Sequence, residues 1–400
     1  MKVLIVISDL CSGGAQKSLV SFLQVLEKYD SKIEVDLLVC SKQGMFLNQI
    51  PSVYNILEVP YDIACMNNSP TSKLFRESLC FRGITGKIFR YITLPFMNRK
   101  YNKLNNHQIL WLQWKRFIRE IDVEYDVAMS YIDGYSNYFV IDKVKAKKKI
   151  LWVHNEYEKL TYNSEFDNEY YSKADIVATI SEMCVQSFIN KFPKLSESVY
   201  KIENISSPTL INKMADEYFP IEYKSNIIKL LSIGRLNSQK GFDIAIDAAK
   251  ILQDSGLEFT WYIIGDGGEK AELISQIHRN GLEKRVELLG LRENPYPYIK
   301  NCDIFVQTSR YEGKSIVLDE AKILYKPIVV TNYTTVKDQV TDGKNGMIVE
   351  ITPEGISKGI IELNQKIDLQ RKFVNELSKG TSGNEQEIIK YINMLNGQNI

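Results

Sequence analysis

Histidine and cysteine are scarce, and neither is clustered. The chain has 3 His and 6 Cys, the cysteines standing at positions 11, 40, 65, 80, 184 and 302 with no C-x-x-C pair. Structural zinc needs closely spaced thiolate and imidazole ligands, so the pattern argues against such a site. The thiols read instead as small buried groups in a reducing compartment. Long hydrophobic runs are missing too: no 18 consecutive apolar residues occur, and no segment reads as a membrane-spanning helix. The opening MKVLIVISDL has an apolar run of residues 3–7 only, ended by Ser8 and Asp9, which reads as a first buried strand rather than a secretory segment. Neither G-x-G-x-x-G nor G-x-x-x-x-G-K-[ST] is present, which disfavours a nicotinamide enzyme or a P-loop ATPase. Net charge is only +1, so no global field draws the protein to nucleic acid, and any basic partner site must be local.

What is present is globular: 400 residues, 44% hydrophobic and 25% charged, long enough for two cores. Short β-branched runs at 2–7, 35–40, 53–59, 126–130, 149–153 and 175–180 predict strands, and Leu19, Phe22, Leu23 and Leu26 form one stripe of a helix over 16–29. Residues 204–226 hold two prolines and no clear alternation, and read as a linker. The pattern then restarts. Strands are expected at 227–234, 259–265, 285–290, 303–309 and 327–332, with helices between them at about 241–254, 269–280, 295–300 and 315–325. The reading is an α/β protein of two Rossmann-like domains with an interdomain cleft, the first over 1–205 and the second over 206–379. In open parallel sheets ligands bind beyond the carboxyl ends of strands.

The chemistry-bearing residues follow strands in the second half. Gly234-Arg235 closes one strand and Lys240-Gly241 precedes the next helix. A guanidinium fork and a compact ammonium there suit a diphosphate, although a solvated pair beside a glycine fits the same spacing. Gly265-Asp266-Gly267-Gly268 is a second strand-to-helix junction where backbone can approach a ligand. Gly13-Gly14 is a third, read either as an amide nest or as a simple tight turn. The stretch SRYEGKSIVLDEAK places Glu312 on a turn and Glu320 in the helix after it. That spacing does not license a hydrolase's acid–base pair. A phosphate on the amides of residues 314–317, with Glu312 and Glu320 to either side, fits it, with Gly313 and Ser315 at positions where backbone is expected to be open. Two ordinary surface glutamates remain the alternative.

Taken together, SIGRLNSQKG, IIGDGG, NCDIFVQTSRYEGKSIVLDEAK, DGKNGMIV and the opening SDLCSGGAQKSL resemble the retaining glycosyltransferases of family 4, whose two Rossmann-like domains form the arrangement called GT-B. The resemblance is strongest over 227–350 and loosest over 60–120. It implies that Arg235 and Lys240 hold a nucleotide diphosphate, that Glu312 contacts the donor sugar and Glu320 the ribose, and that Gly313, Lys314, Ser315 and Ile316 supply backbone donors. It also implies that Gly14 and Gly265 lie near the donor, and that His154 in LWVHNE positions its sugar. Asp133, after an earlier strand, is a weaker candidate for the acceptor side. The expected reaction is metal-independent transfer of a hexose or N-acetylhexosamine from a nucleotide sugar, UDP by preference, with no cofactor, retention of configuration and a front-side route. Rival readings are a phosphorylase or sugar-nucleotide epimerase on the same architecture, or a nucleotide-sugar-binding scaffold without turnover.

Residues 73–119 carry eleven Lys or Arg, at 73, 76, 82, 87, 90, 99, 100, 103, 115, 116 and 119, against the single acid Glu77. Aromatic and aliphatic residues lie among them. Arg82, Lys87, Arg90, Arg99, Lys100, Trp111 and Trp114 are therefore expected on a surface facing anionic lipid and a polyprenyl-diphosphate-linked acceptor. Core packing with solvated charge is the competing reading, and a nucleic-acid groove the least supported. A protein held peripherally at the inner face of a bacterial cytoplasmic membrane, building capsule or lipopolysaccharide, is the resulting expectation. A last helix, about 380–400, is expected to pack back on the first domain.

Overall fold

In a computed structural model the alternating runs become two sheets, and every strand pairing in both is parallel. The first sheet has β1 (Lys2–Ile7), β2 (Glu34–Val39), β3 (Asn55–Ile56), β4 (Ile121–Ser130), β5 (Val144–Val153), β6 (Ile176–Thr179) and β7 (Val199–Lys201), in the order β3-β2-β1-β4-β5-β6-β7. The second has β8 (Ile228–Ile233), β9 (Phe259–Ile264), β10 (Val286–Gly290), β11 (Ile304–Gln307), β12 (Ile328–Thr331) and β13 (Met347–Val349), in the order β10-β9-β8-β11-β12-β13. The structure describes all residues except 12, 30–31, 42–43, 45, 68–80, 101–102, 224–226, 381–382 and 399–400, and the backbone alone of 94–100.

The chain divides into two compact units, Met1–Asn204 with Glu387–Ile400, and Ile205–Gln386. Strands covered by helices on both faces must be apolar throughout, and β1, β9 and β11 are buried almost without a break. Each buried Leu, Ile or Phe in them contributes about 1.5–3 kcal/mol. In the first sheet the order reverses between β1 and β4, in the second between β8 and β11. Loops leaving these strand pairs diverge to opposite faces and leave a crevice, the favoured ligand position in such sheets.

Several local expectations are corrected. The strand expected over 53–59 is only Asn55–Ile56, because Pro51 and Pro60 bracket it and Val53 points out, 65% exposed. Residues 204–226 are more ordered than a linker. Ser207 caps a helix Pro208–Ala215 by accepting from Leu210 N–H, and Ile211 and Ala215 bury their side chains. Eight residues are too few for the 3.6-residue period to stand out. The last helix runs Ile388–Asn396, and its Tyr391 stacks on Phe22 with ring centroids 4.5 Å apart.

Candidate active site

In the second unit, three loops leave β8, β9 and β11 and meet backbone to backbone. Gly265 has φ +154°, and a Cβ there would lie 1.8 Å from the Gly234 carbonyl oxygen. One at Gly241 (φ +64°) would lie 2.2 Å from the Thr308 oxygen, and one at Gly267 2.3 Å from the Leu236 oxygen. The glycines thus close the loops on one another. The Lys240 stem crosses over Gly234, where a Cβ would meet its Cγ and Cδ at 3.1 Å.

That path carries Lys240 across the switch point to Glu312, with Nζ 2.5 Å from Oε1. The same carboxylate oxygen accepts from Ser309 Oγ (2.6 Å) and Gln307 Nε2 (3.3 Å), and Oε2 accepts from Gln239 Nε2 (3.4 Å). Glu312 is 6% exposed. A buried carboxylate is tolerable only with such a set of donors. The β11 loop is latched to the β8 loop by Arg310, which makes a two-pronged pair with Asp243 (2.8 and 2.6 Å) and also donates to the Ser238 carbonyl. Arg235, beside this cluster in the chain, is exposed.

Glu320 sits in the helix Ile316–Ile323, 1% exposed, with Oε1 accepting from Tyr296 O–H at 3.2 Å. Its helix is capped by Ser315, whose backbone N–H donates to Gln339 Oε1 (2.7 Å) while Gln339 Nε2 donates back to the Ser315 carbonyl (2.7 Å). The Ser315 amide is already used by a side chain 24 residues away, and Gly313, Ser315 and Ile316 are buried rather than open. Lys314 Nζ lies 3.8 Å from Asp319. Among the described residues, no group of three or more His, Cys, Asp or Glu is placed to hold a metal ion.

In the first unit, Gly14 is the exposed first residue of the helix Gly14–Tyr29. His154 follows β5 and is buried, its ring stacked on Trp152 (5.0 Å) and its Nε2 2.9 Å from the Tyr131 carbonyl oxygen. Burial lowers its pKa to about 4, so the imidazole is neutral at physiological pH. Asp133, after β4, accepts from Tyr162 O–H at 3.4 Å. Burial, with Asp167 nearby, raises its pKa to about 6.

Residues 216–379 match the family Glycosyl transferases group 1. Over that segment, less than half of its length, the chain is similar to the group 1 glycosyl transferases. It is 26% identical over 385 residues to the N-acetylgalactosamine-N,N'-diacetylbacillosaminyl-diphospho-undecaprenol 4-alpha-N-acetylgalactosaminyltransferase of Campylobacter jejuni, covering 94% of this chain and 93% of that one. It is 28% identical over 208 residues to the amylovoran biosynthesis glycosyltransferase AmsD of Erwinia amylovora, 50% of this chain and 56% of that one. Among solved structures it is similar to Anabaena HepE in complex with UDP and glucose, with TM-score 0.69, 18% identity and 99% of both chains covered. Staphylococcus aureus TarM, in a complex containing UDP, matches with TM-score 0.67 and 15% identity, again over 99% of both chains. These likenesses establish the fold as GT-B, two Rossmann-like units.

Within the matched segment, the structure brings Lys240 and Glu312 together as one cluster. Gln239, Gln307, Ser309 and Gln339 complete it and were missed, because single polar residues scattered over a hundred positions leave no pattern. The basic surface needs a larger correction. Trp111 and Trp114 are fully buried, Trp111 Nε1 donating to Asp142 at 3.0 Å. Lys87 is half-buried, its ammonium 5.6 Å from the Trp114 ring centre, and burial with Arg90 alongside lowers its pKa to about 8. Arg90 is half-buried as well, while Arg82 is exposed. The side chains of Arg99 and Lys100, and residues 73 and 76, lie outside the described residues.

The reason is an inverted helix. Phe81–Lys100 turns Gly83 and Gly86 inward, and a Cβ on Gly86 would lie 2.6 Å from the Trp114 ring. Outward it shows Phe81 (82% exposed), Ile84 (43%), Ile88 (55%), Tyr91 (85%) and Ile92 (61%), spaced to share one face. No helix among the described residues is long and apolar enough to cross a membrane.

Proposed function

We propose that this protein is a metal-independent, retaining glycosyltransferase that moves a hexose or N-acetylhexosamine from a UDP-sugar to a lipid-linked glycan in bacterial surface polysaccharide synthesis. The Lys240–Glu312 pair, set at the switch point of the second sheet, carries the reading. An ammonium has three donors and Glu312 takes one, which leaves capacity for a diphosphate oxygen. As the sugar leaves, negative charge grows on the nucleoside diphosphate, and Lys240 and Arg235 stabilise it from fixed positions. Glu312, held by Gln307 and Ser309 as well as by Lys240, is preorganised to accept from donor-sugar hydroxyls. Glu320, anchored by Tyr296, serves the ribose side.

The HepE complex with UDP and glucose supports the choice of nucleotide. The Campylobacter enzyme, named for a diphospho-undecaprenol-linked acceptor and similar over nearly the whole chain, supports a lipid-linked one. The outward face of the Phe81–Lys100 helix supports the same choice. Five large apolar side chains in water are costly, whereas at the headgroup boundary of a bilayer they are buried. Lys and Arg without a single acid over residues 81–119 suit anionic lipid. The protein then works peripherally at the cytoplasmic face of the membrane.

The test is release of nucleotide from UDP-, GDP- and ADP-sugars, with and without a total polyprenyl-lipid extract. Release from one UDP-sugar that rises with lipid is the expected result. Tight UDP binding with no release from any donor, lipid present, would instead identify a nucleotide-sugar-binding protein without transferase activity.

A further inference from the structure

The last helix, Ile388–Asn396, is fastened to the first unit near both of its ends. Lys148 Nζ, on β5, donates to the Met394 carbonyl (3.2 Å), and Glu387 Oε1 accepts from the Glu203 N–H (3.1 Å). The helix therefore has anchors besides Tyr391, which lies fully buried between them. Both parts of the Tyr391 side chain are nevertheless committed. Its hydroxyl lies 3.1 Å from that of Tyr131 and donates to the Glu203 carbonyl (3.2 Å). Its ring stacks on Phe22 (4.5 Å) and on Trp152 (5.5 Å, interplanar angle 24°).

Trp152 passes this contact on. The His154 imidazole stacks on it at 5.0 Å and 14°. The indole Nε1–H donates to the Met129 sulfur (3.2 Å), a weak acceptor, so the tilt of Trp152 is set by the rings against it: Tyr131 (4.9 Å), His154 and Tyr391. That tilt matters for His154. Its Nε2 faces the Tyr131 carbonyl oxygen, which can only accept, so in the neutral ring the proton is on Nε2 and Nδ1 carries the lone pair. Nδ1 is buried and has no hydrogen-bond partner among the described residues. Its lone pair lies in the ring plane, so the direction in which it accepts follows that plane, and a hydrogen bond weakens steeply as its angle closes.

We propose that Tyr391 is a positioning residue for His154: from the last helix it fixes the tilt of Trp152 and, through it, the plane in which His154 Nδ1 accepts. The assignment rests on the transferase reading above, with His154 beside the donor sugar. The bond from Nε2 to the Tyr131 carbonyl holds one atom of the imidazole and leaves the ring free to turn about it. A parallel indole face, itself held, removes that turn. The Tyr391 hydroxyl holds the other end of the stack, because it is tied to Tyr131, whose own hydroxyl lies 2.9 Å from Ser18 Oγ. Tyr391 follows the whole second unit in sequence. The geometry of this imidazole is therefore complete only once the end of the chain has folded back onto the first unit.

A proton–nitrogen correlation spectrum of the imidazoles, recorded on the full chain alongside nucleotide release, tests this. The sequence has only 3 His, so the His154 signals can be assigned by their loss in His154→Gln. Tyr391→Leu, which removes the ring, should move the His154 ring-proton signals and lower kcat about tenfold or more with the donor that the wild type uses, at unchanged UDP affinity. Lys148→Met, which loosens the helix without touching the stack, should leave those signals in place and kcat within about twofold. If Tyr391→Leu does not fold, Tyr391→Phe, which keeps the ring and loses the hydroxyl bonds, should still move the signals and lower kcat about twofold. Unmoved His154 signals or an unchanged kcat in folded Tyr391→Leu, or in Tyr391→Phe where Tyr391→Leu does not fold, overturn the assignment. An equal shift and loss in Lys148→Met also overturns it, since Tyr391 would then serve only to attach the helix. A wild type that releases nucleotide from no sugar donor is a failure of the transferase reading, visible before any variant is made, and it takes this assignment with it.

Discussion

The two switch points of this molecule are built in opposite ways. In the second unit a cation–carboxylate pair is brought together from two strand-end loops 72 residues apart, and the loops fit because glycines let backbone touch backbone at Gly265, Gly241 and Gly267. In the first, the acid Asp133 takes a long bond from Tyr162, the rings of His107 and Tyr162 close on the neighbouring Gly134, and His154 is uncharged at neutral pH. A site for an anionic leaving group needs fixed positive charge and rigid loops. A site for a neutral sugar needs shape and hydrogen bonds. The contrast implies that the glycine-packed loops of the second unit tolerate little change, while the turn at Gly134, which meets only side chains, tolerates more.

That contrast is open to attack at several points. The largest effect is expected from Glu312→Ala, which removes the acceptor of Lys240, Ser309 and Gln307 together. Steady-state turnover should fall about 100-fold or more while UDP affinity changes little. Gly265→Ala tests the loop packing: a methyl group 1.8 Å from a carbonyl oxygen forces the β8 and β9 loops apart. A loss of about 2–3 kcal/mol is expected in denaturant unfolding followed by Trp261 fluorescence. Gly134→Ala, meeting the more movable His107 and Tyr162, should be milder in packing but still strained by its φ of +90°. In the helix with the exposed apolar face, Ile88→Asp should weaken binding to phosphatidylglycerol vesicles about tenfold without altering UDP affinity. Unchanged sedimentation with vesicles would remove the lipid contact. Glu320→Ala should weaken UDP binding by titration calorimetry, about tenfold, with turnover at saturating donor less affected.

The smallest expected effect is in pH dependence, because two shifts oppose each other. His154 has a folded pKa lowered to about 4, so the unfolded chain binds the extra proton between about 6.5 and 4, and this group removes stability as pH falls through that window. Asp133 has a folded pKa raised to about 6, so here the native state binds the extra proton between about 6 and 4, and this group adds stability as pH falls. Asp167, also raised by burial, acts in the same direction as Asp133. Asp133→Asn should therefore steepen the loss of stability from pH 6 to pH 4, and His154→Gln should flatten or reverse it. Denaturant midpoints across that range measure both.

Each half of the Lys240–Glu312 cluster was legible because its own motif is local. Lys240 lies six positions beyond Gly234, Glu312 follows a strand, and the glycines mark the turns, so short motifs carry most of the geometry. Gln339 was not legible: it reaches back 24 residues to hold both backbone groups of Ser315. The basic block over 73–119 misled for a related reason. Composition counts charges and rings but not their direction, and Gly83 and Gly86 decide that direction by letting one face of the helix pack against Trp114.

From the sequence alone came the two α/β units, their parallel sheets and the order of the strand-end motifs, because strand periodicity, turn glycines and strand-end charges are properties of neighbours along the chain. Tertiary structure alone decided that Trp111 and Trp114 are core, that the apolar residues of the Phe81–Lys100 helix face outward, and that Asp133 meets Tyr162. Those outcomes depend on which side of a helix finds room against its neighbours. Room is set by side chains far away in sequence, and no local pattern encodes it.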